Sequence, residues 1–184
     1  MKILALSGSL RGASLNAALL RATARLASPP LVVVFSTSLG NLPLFNPDLE
    51  LSPPASVLEL RKAVGLAEAL VIASPEYAHG ISGVMKNALD WLVSYEGFVN
   101  KPVALFNASP RAHHAHDALL EVLRTMSANI VEEACVTVPL LGSGLTEEAM
   151  ARDPAVTATI RRALHALSAA VDPGASRGPS FPVG

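Results

Sequence analysis

The sequence predicts an α/β domain on an open, five-stranded parallel sheet with strand order 2-1-3-4-5 and helices on both faces. Three observations carry this. Apolar runs of strand length alternate with stretches of helical periodicity, the signature of parallel-sheet α/β folds. Two polar, glycine-containing loops follow the first and third strands, and each opens a helix. In that strand order the switch point, where open sheets bind ligands, lies between strands 1 and 3.

The first strand covers about residues 2–6. The first helix carries Leu15, Leu19, Ala22 and Leu26 on one face at helical spacing, and Pro29-Pro30 stops it. The second strand, 31–35, leads into a loop with Gly40, Pro43 and Pro47. A short helix is expected from the capping box Ser56-Val57-Leu58-Glu59 to Gly65. The third strand is 70–73, the third helix starts near Val84, and the fourth strand is 103–107. Leu119, Leu123 and Met126 mark the fourth helix, and 131–138 reads as the fifth strand. The last helix has Asp153 as N-cap and Pro154 at its first position, with a buried stripe of Val156, Ile160, Leu164, Leu167 and Val171. The expected whole is a flavodoxin-like three-layer sandwich over residues 1–172. Residues 173–184, rich in proline, glycine and serine, are expected to form a flexible tail.

At 184 residues the chain is the size of one domain with a real core. Fourteen Lys+Arg against fifteen Asp+Glu leave a net charge of -1 and no basic block, which argues against a nucleic-acid partner. Near-neutral charge does little to oppose self-association. No apolar run is long enough to span a membrane, so no membrane partner is expected. The chain opens directly on a strand, without the basic start and apolar core of a signal peptide, which makes the cytoplasm the expected compartment. One cysteine, Cys135, excludes an internal disulfide and reads as a small core residue.

The first loop, Gly8-Ser9-Leu10-Arg11-Gly12-Ala13-Ser14-Leu15-Asn16, has the makings of a phosphate site. Ser9, Ser14 and Asn16 offer short polar side chains. Gly8 and Gly12 let backbone N–H groups turn inward. Arg11 supplies a planar fork, and the helix starting near Leu15 adds free N–H groups and a positive dipole end. The Gly-Lys-Ser/Thr ending of a triphosphate loop and the Gly-x-Gly-x-x-Gly of a dinucleotide fold are both missing. A terminal monophosphate is therefore favoured; an ordinary capped helix after a glycine-rich turn is the alternative. In the second loop, from Pro75 to Gly83, Pro75 restrains the backbone, while Gly80 and Gly83 allow a flat ligand to approach. His79 reads as a ligand contact or a loop-stabilising group in preference to a catalytic acid. Glu76 has no visible partner for general-base work.

Gly8-Ser9-Leu10-Arg11 with Ser14 and Asn16, and Pro75-Glu76-Tyr77-Ala78-His79-Gly80 leading into Lys86-Asn87-Ala88-Leu89-Asp90-Trp91, together resemble the NADPH-dependent FMN reductase family. That family is flavodoxin-like and includes quinone, chromate and azo-dye reductases. The resemblance runs from Lys2 to about Val171. It implies that Ser9, Arg11, Ser14 and Asn16, with the Leu15 backbone, bind the FMN phosphate. It implies that Pro75, Glu76, Tyr77, His79 and Gly80 line the isoalloxazine and ribityl region, and that Ser109 lies in a third flavin-side loop. The implied activity is transfer of electrons from NADPH or NADH through FMN to quinones or other small acceptors. No side chain need act as catalytic acid or base. A non-enzymatic FMN carrier and a flavin-free binding module on the same fold are the alternatives.

The family usually has a small glycine-rich loop after the fourth strand. Here residues 108–116 hold no glycine and three imidazoles, His113, His114 and His116. They are expected to border the acceptor side of the flavin and not to hold a metal. In the family, the helix region of Val84–Tyr95 builds a subunit interface, and Trp91 and Tyr95 fit the aromatic enrichment of interfaces. A homodimer or homotetramer is expected.

Overall fold

The computed structural model describes residues 1–36 and 38–171. The tail expected over 173–184 lies outside the described residues. In chain order the main elements are β1 (Lys2–Ser7), α1 (Leu15–Leu26), β2 (Val32–Ser36), α2 (Ala55–Leu66), β3 (Ala69–Ala73), β4 (Glu76–Tyr77), β5 (Gly80–Ile81), α3 (Gly83–Asp90), β6 (Pro102–Asn107), α4 (His113–Thr125), β7 (Asn129–Ile130), β8 (Val136–Thr137), α5 (Glu147–Met150) and α6 (Pro154–Val171). All pairings of the main sheet are parallel, in the order β2-β1-β3-β6, with β7 and β8 both on the outer edge of β6. This is the expected 2-1-3-4-5 order.

Strand alternation divides the interior into two layers. Ile3, Ala5, Val71 and Phe106 face one side and pack against Leu19, Leu20 and Ala22 of α1 and Ile160, Leu164 and Leu167 of α6. Leu4, Leu6, Ile72 and Leu105 face the other side and meet Val57, Leu60 and Val64 of α2, Met85 and Leu89 of α3, and Leu119 and Leu123 of α4. Each fully buried aliphatic side chain contributes roughly 1.5–3 kcal/mol relative to exposure. Asp153 caps α6 as expected, accepting from the Val156 N–H at 2.9 Å.

Several local expectations are corrected. The fifth strand is not continuous: a single 3-10 turn, Glu132–Ala134, separates β7 from β8. In an unbroken strand Glu132 and Glu133 would point to opposite faces of the sheet, and a buried carboxylate is costly; the turn exposes both. Ser56 does not cap α2. The helix starts one residue earlier, after Pro54, whose carbonyl accepts from Val57 and Leu58. Gly65 lies inside the last turn of α2, where a Cβ would collide with the Tyr95 hydroxyl. The short helix α5 was not anticipated; it is held on α1 by Glu147, which bridges Arg21 at 2.6 Å and Arg25 at 2.5 Å.

The aromatic residues of the Val84–Tyr95 segment are used within the chain. Trp91 is fully buried, its indole N–H donating to the Pro43 carbonyl at 2.8 Å and its ring edge-on to Phe45. Asn87 ties the same loop from both sides, donating to Pro43 O at 2.9 Å and accepting from the Phe45 N–H at 2.8 Å. Tyr95 packs over Gly65 and Gly97 and under the Arg61 guanidinium. The Trp91 and Tyr95 rings therefore carry no argument for an interface.

Candidate functional site

The C-terminal ends of β1, β3 and β6 deliver three loops to one cleft of about 380 Å³. The first loop is fastened below to the third strand. The Gly8 N–H donates to Ala73 O at 2.9 Å, and the buried Ser82 hydroxyl donates to Gly8 O at 2.6 Å. Ser82 is also the N-cap of α3, accepting from Met85 N–H. At Gly8 a Cβ would lie 2.5 Å from Ser74 Oγ and 2.7 Å from Ser82 Oγ, so the close approach of the two loops requires glycine there. Gly12 has no such constraint.

Further along this loop the oxygens are already accepting and the donors are left over. Ser14 Oγ caps α1 by accepting from Ala17 N–H at 3.2 Å. Ser9 Oγ accepts from Arg11 N–H at 3.4 Å, and Asn16 Oδ1 from Ala108 N–H at 3.4 Å. What remains to face the cleft are the two hydroxyl protons, the Asn16 NH₂ and the Leu15 and Asn16 backbone N–H groups of the first helical turn. The Arg11 guanidinium has no partner among the described residues. A wall of donors at a helix N-terminus has the chemistry that an anion requires.

The second loop folds into a small antiparallel hairpin, β4–β5. Its two turn residues, Ala78 and His79, have φ of 49° and 58°. This left-handed pair suits a tight two-residue hairpin turn but is unfavourable for residues with a Cβ. The strained positions are thus Ala78 and His79, while a Cβ at Gly80 would meet only ordinary contact and one at Gly83 only open space. Pro75, Glu76 and Tyr77 line the cleft. His79 and Gly80 do not line it; the hairpin turn lays the His79 ring against that of His114 on α4. Glu76 Oε2 accepts from Ala115 N–H at 2.9 Å, capping α4 from outside because Ala112 offers no side-chain cap. That backbone bond holds the Glu76 carboxyl below the usual range, against a smaller opposing effect of burial and with help from His114, His79 and His113.

The third loop is braced by Asn107, whose side chain accepts from Ser109 N–H at 2.9 Å and donates to Ala112 O. Ser109 lines the cleft as expected, joined by Asn107, Ala108, Arg111 and Ala112, and by Ala13 and Leu141 from other segments. None of these six was singled out in the sequence. Arg111 was the legible one, a guanidinium two residues past Ser109; Leu141 arrives from beyond β8, where no motif points to the site. The histidine cluster divides. His113 and His114 turn outward, and neither lines the cleft. His116 lines a separate small cavity with Ile72, Ser74 and Leu105. Among the described residues no three His, Cys, Asp or Glu side chains are placed to hold a metal ion. Cys135 is half-buried, its sulfur accepting from Leu105 N–H at 3.3 Å; burial pushes its thiol up.

Comparison with known proteins agrees with this geometry. The model of the family described as NADPH-dependent FMN reductase matches residues 1–140. An NAD(P)H-dependent FMN reductase of Pseudomonas aeruginosa is 38% identical over 112 residues, 59% of this chain and 60% of the relative. A probable NADPH:quinone oxidoreductase of Oryza sativa subsp. japonica is 41% identical over 95 residues, 50% of this chain and 47% of that one. Each match thus spans about half to three-fifths of the relative's length. Among solved structures, the flavoenzyme FerB of Paracoccus denitrificans, an NAD(P)H:(acceptor) oxidoreductase, superposes with a TM-score of 0.72 at 25% identity, covering 91% of this chain and 97% of that one. With the parallel order, the donor-lined first loop and a match across three-quarters of its length, the chain belongs to the NADPH-dependent FMN reductase family.

Proposed function

We propose that this protein binds FMN in the switch-point cleft and uses it to pass electrons from NADPH or NADH to quinones or other small acceptors. The observation that carries the reading is the donor-only wall of the first loop, which suits one dianionic phosphate and little else. Ser9, Arg11, Ser14, the Leu15 backbone and Asn16 would hold that phosphate. Pro75, Glu76 and Tyr77 would form one side of the ring site and Ser109 the other, with Ala108 between them. When bound, FMN supplies the redox chemistry, accepting hydride from a nicotinamide and returning electrons to an acceptor.

The residues of the chain bind and orient. Glu76 is committed to the Ala115 N–H and stays ionised, so it serves as a cap and not as a proton donor. Asn107 braces the third loop and Asn16 ties it to the first. Tyr77, exposed beside the cleft, offers a ring surface at its mouth. NADPH and NADH oxidation by the purified, FMN-loaded protein, with and without a quinone, tests the activity. Oxidation that depends on the quinone supports the enzyme; a reduced flavin that forms only with an added protein reductase favours the carrier. A homodimer or homotetramer through the Val84–Tyr95 region is part of the proposal, supported by the exposed Val93 and Val99 in and beside that segment. The cytoplasm is the proposed location; among the described residues no helix is long and apolar enough to cross a membrane.

A further inference from the structure

Beyond the cleft, three imidazoles from two elements are in contact, His79 stacked on His114 and His113 tilted against it. The His79 ring, on the hairpin turn, lies 4.4 Å from that of His114 and within 25° of parallel to it. His113 follows at 4.1 Å from His114, its Nδ1 3.2 Å from Arg111 O. All three side chains are exposed. The hairpin that carries His79 also carries Glu76 and Tyr77, two residues of the cleft wall. It meets α4 through two polar or ring contacts, the Glu76 cap on Ala115 and the His79–His114 stack. His79 is presented to α4 only because its backbone adopts the left-handed conformation, which a residue with a Cβ resists.

We propose that His79 and His114 are positioning residues: their ring stack clamps the β4–β5 hairpin onto α4 while the imidazoles are neutral and releases it when they are protonated. Neutral rings at this spacing attract; two imidazolium ions at it repel. In water such a pair at about 4 Å is disfavoured roughly fivefold. The surrounding charges are Glu76 on the hairpin, Arg111 in the third loop, His113 beside His114, and Asp117 one turn further along α4. Glu76, on the same hairpin, attracts the imidazolium groups and the positive end of α4 and offsets part of this repulsion, while Arg111 and that helix end repel a protonated His79. Acidification protonates imidazole, so it loosens the clamp. Loosening the hairpin moves one wall of the cleft, so flavin affinity falls with it; this last step rests on the FMN reading, and the clamp itself does not.

The test is amide hydrogen exchange of residues 76–81 in the flavin-free protein between pH 7.5 and 5.5, corrected for the intrinsic pH dependence of exchange. FMN titrations are run over the same interval. Wild type should lose about five- to tenfold protection of the hairpin on acidification. His79→Asn, which tolerates the left-handed turn, and His114→Asn should each abolish the step, while His165→Asn on α6 should keep it. Both stack positions are exposed, so neither change should unfold the chain. The FMN phosphate loses a charge over the same interval, which weakens binding in every variant; the wild-type dissociation constant should rise by a further factor of about five to ten beyond that shared change, and those of the two stack variants should show the shared change alone. A hairpin whose protection is flat with pH, or one that shows the same step in both stack variants, overturns the clamp. A step that behaves as expected in a protein that takes up no FMN at any pH upholds the clamp and overturns the flavin reading.

Discussion

Replacing Gly8 with alanine should be among the most damaging single-methyl changes in this chain. The added Cβ would sit 2.5 Å from Ser74 Oγ, 2.9 Å from Ser74 Cβ and 2.7 Å from Ser82 Oγ. Ser74 can rotate its hydroxyl but not its Cβ. Ser82 cannot yield cheaply, because its buried oxygen both donates to Gly8 O at 2.6 Å and caps α3 at Met85 N–H. Loss of the cap costs about 1 kcal/mol, loss of the hydrogen bond about another 1 kcal/mol, and the overpacking itself about 1–3 kcal/mol. With partial relaxation, a total of about 2–4 kcal/mol is expected, or a fall in Tm of roughly 5–15 °C for a domain of this size. Gly12→Ala in the same loop meets nothing within 4 Å and should change stability by less than about 0.5 kcal/mol. Urea or thermal unfolding of the two variants beside wild type measures both. If Gly8→Ala and Gly12→Ala prove equally mild, the tight crossing of the first and second loops is not what holds the site together.

Three further outcomes are expected. Arg11→Ala should weaken FMN by roughly ten- to a hundredfold, the cost of a charge-assisted contact, and leave riboflavin binding unchanged; equal losses for both ligands would remove Arg11 from the phosphate site. Ala78→Gly should stabilise the protein by about 0.5–1 kcal/mol, because relief of about 1–2 kcal/mol of left-handed strain outweighs the added freedom of the unfolded chain; a lower unfolding midpoint in urea would contradict the strained turn. Because burial raises the Cys135 thiol, with the carboxylates of Glu132 and Glu133 adding to the effect against the Leu105 N–H, thiolate is scarce at pH 8. A disulfide reagent should therefore label the native protein at least about tenfold more slowly than the urea-unfolded chain, and labelling at the unfolded rate would refute this.

The sheet order and the place of the first loop at the cleft were legible because both rest on local signals: apolar period, glycine, short polar residues and a helix start. The same holds for α6, where Asp153 and Pro154 state the helix start outright. What was not legible depends on contacts distant in sequence. Trp91 reads as an interface aromatic until the segment from Pro43 to Phe45 is seen to lie against it, accepting its indole N–H at Pro43. Gly65 reads as a helix stop until Tyr95 is placed above it. The break in the fifth strand did have a local signal, since adjacent Glu132 and Glu133 cannot both avoid the interior of a sheet covered on both faces. In the site, the first loop and residues 75–77 fell where the motifs put them. The course of the hairpin was not legible, because its turn is made with Ala78 and His79 left-handed, against their intrinsic preference, and aims the imidazole at His114. Leu141 reaches the cleft from a segment with no motif of its own.

The central claim is that the donor-lined first loop is a site for one phosphate attached to a flat ring. Parallel titration of the flavin-free protein with FMN and with riboflavin, followed by flavin fluorescence, tests it most directly. The two ligands share the ring system and ribityl chain and differ in the phosphate alone. A dianion held by Arg11, two hydroxyls and the amides of the α1 N-terminus makes at least two charge-assisted contacts, each about 1.5–3 kcal/mol. FMN should therefore bind at least about a hundredfold more tightly than riboflavin. Equal dissociation constants for the two, or no binding of either, would contradict the account.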